Sequence, residues 1–237
     1  MAKKLFSDDD FDKSLSIGDV LVFDKPEFTK LRIDLTWSGT DLDICAFLLG
    51  EDGMIHDKAD LVYFRSQLRW KTIKAFTDDD FNPLEGEIST WPNKDFKNPN
   101  RWLEGTLPIS SDGAVIGSWD DMADSDGDDE CGETMHVLLD EVDTNKHKSI
   151  VFAATVAKDR IANGETFADA HDPVVTIYNA KTEEVVAEYK LASKFPGKND
   201  VCFGRMDFDG DTFFWNFVPM ADGYNGGMKY LATEIFN

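Results

Sequence analysis

Short runs of apolar or strictly alternating residues recur along this chain, separated by turn formers. That rhythm predicts the strands of a two-sheet sandwich rather than alternating strand–helix units. The segments that carry it are residues 16–23, 30–37, 42–49, 61–64, 135–139, 149–157, 174–179, 185–191, 201–206 and 212–218. In the third of these, Leu42, Ile44, Ala46 and Leu48 fall on one face, and Asp41 and Asp43 share the other with Cys45, Phe47 and Leu49. Gly50-Glu51-Asp52-Gly53 predicts a hairpin after that strand, and Asp209-Gly210 predicts another between 201–206 and 212–218, because Asp-Gly accepts the positive φ of tight turns. Only the stretch 228–236 reads as a helix.

Two segments break the rhythm. Residues 1–13 carry a Ser-Asp-Asp-Asp-Phe-Asp run and read as a loose acidic N-terminal arm. Residues 65–110 hold four of the eight prolines together with Trp70, Trp91 and Trp102, and read as an ordered inserted lobe whose aromatics pack on the main body. The expected organisation is an arm at 1–13 and one mostly-β sandwich domain over 14–237. A long lobe interrupts that domain at about 65–110, and a short helix ends it.

Composition allows a sizeable core, with 42% hydrophobic residues, 18 Phe and 6 Trp in 237 residues. The charge is lopsided: 46 acids against 24 Lys and Arg give −22, with a pI near 4.4. A body this acidic repels phosphate backbones and anionic membranes, which argues against nucleic-acid binding and direct membrane insertion. Cys45, Cys131 and Cys202 are odd in number and far apart, the usage of free thiols in a reducing compartment. No signal-peptide pattern or span is evident; the longest near-continuous apolar run, 150–157 with Thr155 inside it, is eight residues. A cytoplasmic protein is expected.

The chemistry-bearing feature is acidic. Seven of the eleven residues from Asp120 to Glu130 are Asp or Glu, and from Trp102 to Asn145 thirteen acids occur without one Lys or Arg. Two carboxylates ~4 Å apart repel by roughly 4 kcal/mol at an effective dielectric of 20, so a fold that gathers them needs a counter-charge. Calcium, which accepts ~6–8 oxygens in flexible geometry, suits such a set. The competing reading of the run is a solvated loop, and of Asp41 and Asp43 an exposed strand start. Neither Asp124 nor Asp207 begins an EF-hand: position six is Asp129 or Thr212 instead of Gly, and position twelve Met135 or Val218 instead of Glu. The four histidines are isolated, and no hydrolase, metalloprotease, P-loop or dinucleotide motif occurs.

Trp37, Thr40 to Gly50 (TDLDICAFLLG), Asp60-Leu-Val-Tyr-Phe and Asp126-Gly-Asp-Asp-Glu130 come in the order and rough spacing of the TerD (tellurium-resistance) family, which the chain resembles over about 14–64 and 111–236. Three family features depart. Arg65-Ser66 stand for an Asn-Asn pair, an Asn is replaced near Asp172, and the 65–110 insertion takes the place of a short link. The resemblance implies a β-sandwich with two calcium ions at one end. Asp41, Asp43, Asp126, Asp128, Asp129 and Glu130 would be ligands, with Asp60 as a lesser candidate. It also implies a non-enzymatic binding or scaffold role in a tellurite-resistance, stress or phage-defence system, with unidentified protein partners. Two alternatives stand beside it. One is a structural subunit of a homo-oligomer or larger assembly, such as a membrane-associated complex or virus particle. The other is a carbohydrate-active enzyme using paired carboxylates.

Overall fold

The computed structural model describes residues 2–4, 13–72, 86–90, 106–118, 131–191 and 195–237. Its strands are β1 (Ala2–Lys4), β2 (Asp19–Phe23), β3 (Lys30–Gly39), β4 (Leu42–Leu49), β5 (Leu61–Val62), β6 (Leu68–Thr72), β7 (Gly86–Thr90), β8 (Leu107–Pro108), β9 (Val115–Gly117), β10 (Cys131–Leu138), β11 (Ser149–Val156), β12 (Ala170–Asn179), β13 (Glu184–Lys190), β14 (Asp200–Asp209) and β15 (Phe214–Tyr224). The helices are α1 (Lys158–Ala162), which the sequence pattern did not reveal, and α2 (Gly227–Tyr230), which runs on as a π-helical turn, Leu231–Ile235.

Seven strands form one sheet in the order β1-β2-β15-β14-β11-β4-β5, and five form the facing sheet in the order β13-β12-β3-β10-β9. Alternation explains the packing. Leu31, Ile33, Leu35 and Trp37 of β3 are buried while their neighbours are partly exposed, so the five-stranded sheet has one core face. They meet Leu42, Ile44, Ala46 and Leu48 of β4, with Ile150, Phe152 and Ala154 of β11. A fully buried Phe or Leu contributes about 1.5–3 kcal/mol, and the fully buried large side chains here include Trp37, Phe47, Phe152, Phe203 and Phe217.

β4 is buried on both faces. Its outer residues Cys45, Phe47 and Leu49 lie with Val151, Ala153 and Cys202 under Leu231 and Phe236, so the C-terminal helix covers the outer face of the seven-stranded sheet. Phe47 and Phe236 pack with ring centroids 4.6 Å apart and planes tilted by 40°.

Two sequence-based expectations change. The Gly50–Gly53 turn forms, with Gly50 N–H donating to Met54 O and Gly53 at φ +77°, but it starts no hairpin. The chain passes under the C-terminus instead (Ile55 N–H to Phe236 O, 2.7 Å), and β4 pairs with β11 and β5. Of the N-terminal arm, Ala2–Lys4 is not loose: it adds a parallel strand to β2. The inserted lobe contains a three-stranded sheet, β7-β6-β8, and its Trp70, Leu107 and Ile109 cluster with Ile116 of β9, so Trp70 packs on the main body as expected. Trp91 and Trp102 fall outside the described residues. No helix among the described residues is long and apolar enough to cross a membrane.

Candidate metal centre

One end of the sandwich collects carboxylates. β4 begins there, and Asp41 and Asp43 are 9% and 8% exposed: buried, not the start of a solvated strand. Ala157 N–H donates to Asp41 O at 3.0 Å, fastening the entry of β4 to the end of β11. β10 also starts at this end: Cys131 pairs with Trp37, and two residues on, Glu133 is 2% exposed, its Oε2 accepting the Ile44 N–H at 2.6 Å. The stem that follows the acidic run therefore lands on the strand of Asp41 and Asp43. Asp126, Asp128, Asp129 and Glu130 themselves lie outside the described residues.

A third strand contributes to the same end. Asp43 pairs in register with Thr155 of β11, and Thr155 with Asp200 of β14, so three oxygen-bearing residues form a cross-strand row. Asp200 is fully buried. Its Oδ2 accepts the Gly227 N–H at 2.9 Å, while its Oδ1 has no hydrogen-bond partner. Burial pushes its carboxyl up to about 6, against which the Gly227 and Gly226 amides pull. Burial likewise raises the Cys45 thiol, helped by the nearby acidic groups.

Asp60 is elsewhere. Leu61 pairs with Phe47, which sets Asp60 beside Leu48, five residues along β4 from Asp43 and so roughly 17 Å away at ~3.3 Å per residue. There its Oδ1 faces His147 Nε2 at 3.2 Å and accepts the Ser111 hydroxyl at 2.6 Å, and its Oδ2 accepts the Asp57 N–H. His147 Nδ1 meets Asp112 Oδ2 at 2.9 Å. Burial opposes charge on this 2%-exposed imidazole, but the two carboxylates outweigh it and raise its pKa to about 9. His147 and Asp60 line a cleft of about 590 Å³ with Glu51, Asp52, His56 and Asp57. Among the described residues no three His, Cys, Asp or Glu groups are placed to hold a metal by themselves.

Glu133, Thr155, Asp200 and the His147 clamp escaped the sequence reading. Glu133 had a signal: it is in phase with Met135 and Val137 on the inward face of β10, where a charge is out of place. Asp200, in phase with buried Cys202, had a similar one. His147 had none.

The donors suit a hard cation: carboxylates and a hydroxyl, buried, with one carboxylate oxygen left over. Fold and site together define an acidic β-sandwich protein with carboxylates gathered at one end. A family model described as TerD domain matches residues 107–235, and the chain belongs to that family. It is 29% identical over 139 residues to General stress protein 16U of Bacillus subtilis (strain 168), covering 58% of this chain and 68% of that protein. To Tellurium resistance protein TerD of Serratia marcescens it is 22% identical over 232 residues, covering 93% and 95%. Two crystal structures share the fold. A protein of unknown function superposes with TM-score 0.57 at 18% identity, covering 87% of this chain and 95% of that one. A homologue of telluride resistance protein (TerD) from Streptomyces coelicolor A3(2) gives 0.56 at 15%, covering 89% and 98%.

Proposed function

We propose that this protein binds calcium, two ions, at the carboxylate end of the sandwich and acts without catalysis. In this reading it is a cytoplasmic scaffold for protein partners in a tellurium-resistance or stress response, the roles its named relatives carry. The observation that carries the reading is the Glu133–Ile44 hydrogen bond, which brings the stem of the acidic run onto the strand start of Asp41 and Asp43. Two calciums need roughly 12–16 oxygens, more than residues 126–130 can present, so ligands from two distant stretches of chain are required. Asp41, Asp43, Asp126, Asp128, Asp129 and Glu130 would supply them. Asp60 drops out, since its oxygens already serve His147, Ser111 and Asp57.

Calcium would supply the counter-charge that buried carboxylates need; the chain's own part is to hold those oxygens together at one end. Support for a non-catalytic role comes from Asp200: the carboxyl that burial moves up to about 6 is fully buried at the entrance of the C-terminal helix, not on an open cleft. Calcium titration of single and double variants tests the shared site. Asp43→Asn should weaken binding about as much as Asp128→Asn, and the double variant should lose less than the sum. Unchanged affinity and stability in Asp43→Asn would refute the proposal.

A further inference from the structure

Asp200 belongs to neither acidic motif, yet among the described residues it is the most deeply buried acid at the carboxylate end. Half of its carboxylate has a visible task, since Oδ2 accepts the amide that opens α2. The other half has none: Oδ1 is sealed from solvent without a donor, and no ion pair among the described residues involves Asp200. An unpaired carboxylate oxygen in the interior is costly and calls for a cation.

We propose that Asp200 is an interior ligand for a divalent cation held over the Asp43–Thr155–Asp200 row, and that this cation fastens the C-terminal helix to the sandwich. The proposal rests on the calcium reading above and adds a ligand and a consequence to it. Adjacent strands lie about 4.8 Å apart, so Asp43 and Asp200, separated by one strand, have Cα atoms roughly 10 Å apart. Oxygens sharing one calcium at ~2.3–2.6 Å can stand up to about 5 Å from each other. Each aspartate thus needs to carry an oxygen only ~2.5 Å inward, and Thr155 stands between them in the register. All three side chains are on the face of Cys45 and Cys202, away from the inter-sheet core.

The consequence follows from the two ends of the Asp200 carboxylate. A cation on Oδ1 holds the carboxylate in place, and with it the Oδ2 that accepts the Gly227 N–H at 2.9 Å, one residue past Gly226. Those glycines sit at φ +152° and +74°, so the turn into α2 is a conformation that side-chain-bearing residues rarely adopt, held at its entrance by Asp200. Beyond it, Leu231 and Phe236 cover Cys45, Phe47 and Cys202.

The test uses the full chain, calcium by calorimetry, and amide hydrogen exchange over residues 227–236. The wild type should bind calcium and slow exchange in that segment. Asp200→Asn should bind calcium at least about tenfold more weakly and lose the calcium dependence of exchange. If that variant folds poorly, the Asp200 side-chain carboxyl carbon resonance of the wild type should still shift on adding calcium. Equal calcium affinity in Asp200→Asn, or a resonance that calcium leaves in place, would overturn the role of Asp200 and leave the calcium reading standing. A wild type that binds no calcium would overturn both.

Discussion

At the scale of single residues the strongest electrostatic feature is the clamp of His147 between Asp60 and Asp112. It joins three loops: the turn before β5, the Ser110–Val115 turn (Val115 N–H to Ser110 Oγ, 2.9 Å) and the loop before β11. Removing the imidazole leaves two buried carboxylates facing each other without a cation, so His147→Gln should lower stability by roughly 3–5 kcal/mol, read by urea unfolding at about pH 6. The pH dependence has a definite sign. The folded His147 pKa, about 9, is above its ordinary 6.5, so its contribution is complete below 6.5 and disappears as pH rises through about 9. Asp60 and Asp112 are lowered from 3.8 by His147 and other donors against the pull of burial, so their share is present above 3.8 and is lost as acid protonates the folded carboxylates. In chelator, the gap between wild type and His147→Gln should be widest between about pH 4 and 6.5 and shrink toward pH 9. A gap that stays constant across that range would mean the imidazole is held neutral.

At the scale of elements, β14 shows how closely the core fits. Its pairing with β15 shifts register between Cys202 and Gly204, and a Cβ at Gly204 would land on the ring of fully buried Phe217. Gly204→Ala should therefore destabilise by ~1–3 kcal/mol, with calcium binding unchanged in the folded fraction. Strands such as β3 and β11 were legible because alternation or an unbroken apolar run is a local property of the sequence. So was the Asp209–Phe214 turn joining β14 to β15. The order of strands was not legible: a glycine-aspartate turn after β4 promises a hairpin, but Ile55 instead bonds to Phe236 at the far end of the chain. The candidate site divides the same way. Asp41 and Asp43 announce themselves as acids in phase with an apolar strand face, whereas Thr155 and Asp200 matter only through a register that alternation cannot supply.

At the scale of the whole molecule, a charge of −22 opposes compaction, and the acids at one end of the sandwich are where the opposition is sharpest. Two calciums would bring the charge to −18, with the relief concentrated where the chain ends of β3, β4, β10, β11 and β14 meet. Binding to the folded state alone adds ~2.7 kcal/mol of stability at a free calcium concentration one hundred times the dissociation constant. The most direct measurement is a calorimetric calcium titration of the chelator-stripped protein with magnesium as control, paired with melting curves in chelator and in millimolar calcium. The expected result is about two ions bound per chain and a melting temperature raised by calcium. No heat of binding and identical melting curves would contradict the account.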